Sequence, residues 1–335
     1  MTFRKNLISF LIMVFLVSAI FAGGGQDTAS EKHKLATVGV KHPYFSPMET
    51  ATIDYAKDTG IETQYRATEH FDMEEENVVI EGMLALGYNG FALWPGHPNS
   101  VNATISELKM DGIPVILVGG QANLPTDAAM CIATDVAASA AQATENLIKA
   151  MGGKGKIVNL LGELSDPNTL LRKAAIEKVI AKYPDVSLLQ EIAAVDSFEA
   201  ATDKIGTFLA TRGAEVDGMV STAYVASVVA SELLSEIGDK RIKAVLIDDD
   251  PVVLKAIKEG YVTGTMSQAP YAQAYLGLEG VRLLREGYEV KDGVYFIDSG
   301  SFMIDASNAD TYAKKIKTDA QKALETFKTD YFIAP

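Results

Sequence analysis

From residue 35 to about residue 300, short β-branched runs alternate with longer stretches whose apolar residues recur every three or four positions. The short runs are 35–40, 61–65, 90–94, 114–119, 130–134, 156–161, 186–192, 217–222, 243–248, 261–267 and 293–298. The longer stretches, clearest at 73–86, 135–150, 170–182, 199–211, 223–236 and 271–286, carry the helical period. Strand–helix alternation of this kind folds as parallel sheet with helices on both faces. The runs are apolar throughout rather than alternating, as strands covered on two sides are. Asp135 and Ser197 suit helix starts, and Gly60, Gly87, Gly213 and Gly260 mark ends. So many strands overfill one open sheet, so the expected fold is α/β with two doubly wound lobes. No low-complexity linker divides them, and the lobes should be joined by several short crossings.

The first residues stand outside this pattern. Arg4 and Lys5 precede an apolar run over 7–21, and Ala22, Gly23, Gly24 and Gly25 follow. A charged start, an apolar run and a small-residue end are the parts of an export signal, read here as 1–22 with a leader over 23–34. The run is shorter than the roughly 20 apolar residues that span a bilayer, and no cysteine follows it to carry a lipid. The net charge of −14 argues against nucleic acid as a partner. Cys131 is the lone cysteine, which excludes an internal disulfide and suits a small buried hydrophobe. No Cys/His metal spacing and no Ser/His/Asp or Cys/His catalytic set can be assembled. The glycine-rich 152–156 precedes a strand instead of opening a helix, so it is not a phosphate loop. The acids 248–250 lack the spacing of a calcium loop. The expectation is a protein without metal, cofactor or catalytic residues.

In open parallel sheets ligands bind beyond the carboxyl ends of the strands. The residues collected there are Tyr44, Phe45, Trp94, His97, Gln121, Asp135, Asn168, Asp248 and Gln268. Flat rings match the C–H faces of a sugar, while Asp, Asn, Arg and Gln match its hydroxyls. Tyr44 or Phe45 alone serves equally well as a cap on the core beneath it. Trp94, the single tryptophan, ends a strand just before Pro95, a position suited to a cleft wall. Asn168 and Arg172 are four apart and share a helix face, although a solvated helix charge fits Arg172 as well. Asp248 is open to a second role as helix N-cap, which Asp249 or Asp250 fills equally. His42 and His97 lie in strand-end loops with ring nitrogens for a ligand; His33 and His70 suggest no chemistry.

The stretches "VGVKHPYFSPM", "GYNGFALWPGHPNSVNATISELKMDGIPVILVGG", "ATD" at 133–135, "GGKGKIVNLLGELSDPNTLLRKAAIEKV", "VDGMVST", "AVLIDDDP" and "GTMSQAPYAQAYLG" resemble, in order, the periplasmic sugar-binding proteins of the ribose/galactose type. That resemblance implies the type I periplasmic binding fold, two lobes joined by a three-segment hinge near Thr134, Gln268 and Asp298. The first lobe would comprise 35–133 plus 269–297 and the second 134–268 plus 298–330. By position it implies Tyr44 and Phe45 on a sugar face, with Asn168, Arg172, Asp248 and Gln268 on hydroxyls. His42 stands where the family has another polar residue before proline. Three departures follow. Gly119, Gly120 and Gln121 replace an Asp-Arg segment, Ala223 and Tyr224 replace Asn-Asp, and Trp94 replaces an asparagine. They predict a less hydroxylated, modified or bulkier polyol-like ligand than ribose or galactose. The implied function is an exported periplasmic receptor that closes on a sugar or polyol and delivers it to an ABC-transporter membrane permease. Rival readings are a sensor presenting its ligand to a chemoreceptor or sensor kinase, and an exported enzyme acting on a small solute.

Overall fold

Two six-stranded sheets, each running almost wholly in one direction, organise the chain. The computed structural model describes residues 33–164 and 166–335. The export signal read over 1–22 and most of the leader behind it lie outside them. The first half supplies β1 (Lys34–Val40), α1 (Ser46–Thr59), β2 (Glu62–Thr68), α2 (Met73–Ala85), β3 (Phe91–Leu93), α3 (Val101–Met110), β4 (Val115–Val118) and β5 (Met130–Ala133). Then follow α4 (Val136–Ala150), β6 (Gly155–Leu160), α5 (Pro167–Ile180), β7 (Val186–Ile192), α6 (Phe198–Arg212), β8 (Gly218–Ser221), α7 (Tyr224–Ile237), β9 (Lys243–Ile247), α8 (Pro251–Glu259) and β10 (Gly264–Ser267). The last part contains α9 (Pro270–Arg285), β11 (Glu289–Val290), β12 (Phe296–Asp298), β13 (Phe302–Ile304), α10 (Tyr312–Tyr331) and β14 (Phe332–Ile333).

The first sheet has the order β12-β5-β4-β3-β1-β2 and the second β13-β10-β9-β8-β6-β7. All pairings within them are parallel except β13, which runs antiparallel to β10. Each sheet is covered on both faces. Clusters around Leu35 with Val118, and around Val38 with Leu117, flank the first; clusters around Leu160 with Leu246, and around Ile157 with Val245, flank the second. This is why β1, β4 and β9 read as unbroken apolar runs. The arrangement is the α/β architecture expected.

The chain passes from the first sheet to the second after β5, returns after β10, and passes again between β12 and β13. It then crosses a fourth time, which the expected second-lobe span of 298–330 did not include. Ile316, Ala320, Leu324, Phe327 and Tyr331 of α10 pack into the core of the first sheet, and Lys317 bonds Asp54 of α1 at 2.7 Å. The stripe at three- and four-residue spacing has its apolar partner on α9, so α10 lies with the first sheet. Among the described residues no helix is long and apolar enough to cross a membrane.

Candidate functional site

Parallel strands bring their carboxyl ends to one edge, so the loops after β1, β2 and β3 are neighbours. After β1, His42 caps a single 3-10 turn, Pro43–Phe45, its Nδ1 accepting from the Tyr44 N–H at 3.2 Å. That turn presents Tyr44 and tucks Phe45 beneath it, edge to face at 5.1 Å. Phe45 is only 3% exposed and belongs to the core, so it supports the neighbouring rings from below. Trp94 meets Phe45 at 5.4 Å and Phe71 at 5.2 Å, both edge-on. Phe71, from the loop after β2, is 57% exposed and turns its ring to solvent.

The glycine pair after β4 explains two departures from the family pattern at once. A Cβ on Gly119 would lie 3.1 Å from Trp94 Cδ1 and 3.0 Å from Met48 Cε; one on Gly120 would lie 3.3 Å from the indole nitrogen. Gly119 also has φ of 73°, which side chains rarely adopt. The indole lies across this pair, and a bulky Asp-Arg segment there would displace it. Trp94 and the two glycines are therefore one packing solution.

The polar side comes from the second sheet. Arg172, on α5 behind the Asp166 cap and Pro167, donates from Nη2 to Gln268 Oε1 at 3.1 Å. Gln268 donates from Nε2 to Asp248 Oδ1 at 2.8 Å. Asp248 adopts φ of 67° and Ala269 φ of 55°, left-handed positions that cost a non-glycine residue about 1 kcal/mol or more. Asp248 is held in that conformation by its N–H on Met266 O at 2.8 Å and its carbonyl on Thr265 Oγ1 at 2.7 Å. Burial pushes the Asp248 carboxyl up to about 7, while Gln268 and Arg172 pull it back and Asp249 adds to the rise. The helix cap that Asp248 was open to serving belongs to Asp250, which accepts from the Val252 N–H at 2.7 Å.

Rings and polar groups converge. Burial raises the Tyr44 hydroxyl, and the Asp248 carboxylate raises it further, with Arg172 acting the other way. The Tyr44 hydroxyl donates to Gln273 Oε1 at 3.3 Å. Across from it Tyr224, the first residue of α7, meets the His42 ring at 4.8 Å and donates to Asp250 Oδ2 at 2.6 Å. His42 is held below the usual histidine range by burial. Asn168 is half-buried in the first turn of α5, on the same helix as Arg172.

Three candidates have other partners or none in this network. His97 is exposed, and its Nδ1 accepts the backbone N–H groups of Asn99 and Ser100, both at 3.2 Å, bracing the start of α3. Asp135 caps α4 through the Ala138 N–H at 2.9 Å. Gln121 is exposed beside the end of β4. Two residues were missed. Phe71 follows a strand read three residues too short, and Gln273 is a fully buried polar residue on the otherwise apolar buried face of its helix.

Comparison with known proteins identifies the family and the fold. Residues 35–289 match the family described as the periplasmic binding protein domain. The xylitol-binding protein of Mycolicibacterium smegmatis is 28% identical over 308 residues, 91% of this chain and 86% of that relative. An ABC-transporter solute-binding protein from Burkholderia graminis, solved with D-arabinose, superimposes with a TM-score of 0.74 at 23% identity, covering 84% of this chain and 98% of that one. A periplasmic solute-binding protein from Actinobacillus succinogenes, solved with D-allose, gives 0.76 at 19% identity, with coverage of 84% and 100%.

Proposed function

This chain belongs to the periplasmic binding protein domain family, and from that premise we propose that it is an exported receptor that captures a polyol between its two sheets and hands it to an ABC-transporter permease. The observation that carries this reading is the meeting of an aromatic wall with the chain of hydrogen-bonding groups Arg172, Gln268 and Asp248. Tyr44, Phe71 and Trp94 take the C–H faces of the guest; Asn168, Arg172 and Asp248 take its hydroxyls, with Tyr224 and His42 meeting at the rim. Contacts from both sheets to one guest favour the conformation in which the sheets approach, so binding shifts the population toward closure. The permease then distinguishes the closed form from the open one. The xylitol-binding relative supports a polyol guest, as does the exchange of polar groups for Trp94 and the glycine pair.

Calorimetric titration with xylitol, other pentitols and hexitols, ribose, arabinose and glucose tests this. An acyclic polyol should bind at least ten times more tightly than ribose or glucose, about the effect of one well-placed hydrogen bond or ring contact. Tight ribose or glucose binding, or no binding by any polyol, overturns the reading. Phe71→Ala should weaken the polyol about tenfold, the value of a partly exposed ring contact.

Asp248 adds a pH signature. The guest's hydroxyls donate to its carboxylate, so the ionised form binds better. Affinity should therefore rise about tenfold between roughly pH 6 and pH 8, as a group pushed up to about 7 loses its proton. Asp248→Asn should weaken binding and flatten this rise; an unchanged slope in that variant would assign the titration elsewhere.

A further inference from the structure

Glu76 lies one turn into α2, is 2% exposed, and is used by nothing described above. Its Oε2 accepts the Gly96 N–H at 2.5 Å, and its Oε1 has no hydrogen-bonding partner among the described residues. Gly96 stands two residues beyond Trp94. A Cβ there would lie 2.5 Å from Glu76 Oε2, 3.3 Å from Met73 Sδ and 3.4 Å from the Asp72 carbonyl, so the turn is pressed onto the carboxyl group. Asp72, cap of the same helix, accepts from the Glu74 and Glu75 N–H groups, and Phe71 immediately precedes it. The helix start carrying Phe71 and the turn carrying Trp94 are thus pinned together at Glu76, and their rings meet at 5.2 Å.

Among the described residues no cation pairs with this group. On its own helix the neighbours Asp72, Glu74 and Glu75 are acidic. In the loop after β2, Glu69 pairs with Lys41 and His70 with Glu75. In the loop after β3, His97 turns to its own backbone. On α3, Lys109 pairs with Asp127. A carboxylate enclosed with one backbone donor is unfavourable, and burial pushes Glu76 up to about 8, the Gly96 bond pulling the other way. We propose that Glu76 is a positioning residue for the aromatic wall, holding the Trp94–Pro95–Gly96 turn against α2 by accepting the Gly96 N–H. This rests on the reading of Trp94 and Phe71 as ligand wall, but its first test needs no ligand.

Trp94 is the single tryptophan, so intrinsic fluorescence reports directly on the turn. In ligand-free protein Glu76→Ala, which removes the acceptor, should shift the emission, and Glu76→Gln, which keeps an acceptor oxygen at the same reach, should leave it near that of the natural protein. Gly96→Ala, whose methyl pushes the turn off the carboxyl group, should shift the emission in the same way; it serves also if Glu76→Ala fails to fold. Polyol affinity should fall about tenfold in Glu76→Ala and stay near that of the natural protein in Glu76→Gln, the worth of one ordered contact. An emission unchanged in both Glu76→Ala and Gly96→Ala, or one that shifts as far in Glu76→Gln as in Glu76→Ala, overturns the proposal. A Glu76-dependent emission change in a protein that binds no polyol would instead leave this assignment standing and remove the ligand reading.

Discussion

Arg172→Met is expected to lower polyol affinity by about a hundredfold or more, from two charge-assisted hydrogen-bond contributions of roughly 1.5–3 kcal/mol each. The first is the guanidinium's own proposed contact with the guest. The second is indirect. Arg172 can only donate, so the Gln268 oxygen that accepts from Nη2 at 3.1 Å must face it, which turns the Gln268 amide nitrogen toward Asp248 at 2.8 Å. Without Arg172 that amide is free to rotate, and Asp248 loses its opposing charge. Burial then dominates, the carboxyl moves further above the value of about 7 it has now, and it stays protonated at neutral pH. Methionine keeps the apolar stem and introduces no buried donor, so the loss should appear in binding rather than folding. Calorimetry at about pH 8 would read the affinity, and repeating it across pH would show the rising limb displaced upward. Lys at this position should recover part of the charge effect but not the fork that orients Gln268. Affinity near that of the natural protein in Arg172→Met would remove the polar half of the site.

The parts of this arrangement that were legible in the sequence are those where local pattern and tertiary burial agree. Strands such as 35–40 and 243–248 are covered on both faces, so composition alone marks them, and their carboxyl ends point to Tyr44 and Asp248. Edge strand β2 is different. Arg66 and Glu62 are exposed on it, so its apolar signal stops at Tyr65, three residues before the strand does. Phe71 was lost with that error. His97 and Asp135 are residue types that serve both ligands and helix starts, and the structure assigns them to helix starts. Arg172 was undecidable from helical spacing because only the distant β10 end, bringing Gln268, gives it a buried partner. The α10 stripe was present in the sequence, but its partner face on α9 is a tertiary fact, which no local period specifies.

Gln273→Leu is expected to destabilise the protein by about 2–4 kcal/mol, because one buried amide is the shared partner of the first three of the four crossings between the sheets. Its Nε2 lies 3.2 Å from Thr134 Oγ1, 2.9 Å from the Gln268 carbonyl and 3.0 Å from Ser299 Oγ. These three belong respectively to the segments after β5, after β10 and after β12. Its Oε1 accepts the Tyr44 hydroxyl at 3.3 Å. Leucine nearly matches the volume, so the change removes the polar partners without opening a large cavity. The Tyr44 hydroxyl then lacks its acceptor, and the Gln268 carbonyl keeps only Thr134, at 2.6 Å. Urea unfolding would show the midpoint lowered with its slope unchanged; a stability within about 0.5 kcal/mol of the natural protein would refute the shared-joint assignment. Binding should weaken as well, by a route distinct from Arg172. The Arg172 variant removes polar contacts and leaves the joint intact, whereas Gln273→Leu leaves Arg172 and Asp248 in place and loosens both Tyr44 and the crossings that orient one sheet against the other. Because Gln273 touches the wall and the joint through the two ends of a single amide, the position of Tyr44 is coupled to the geometry of the crossings, and movement of the sheets is felt at the ring proposed to meet the guest.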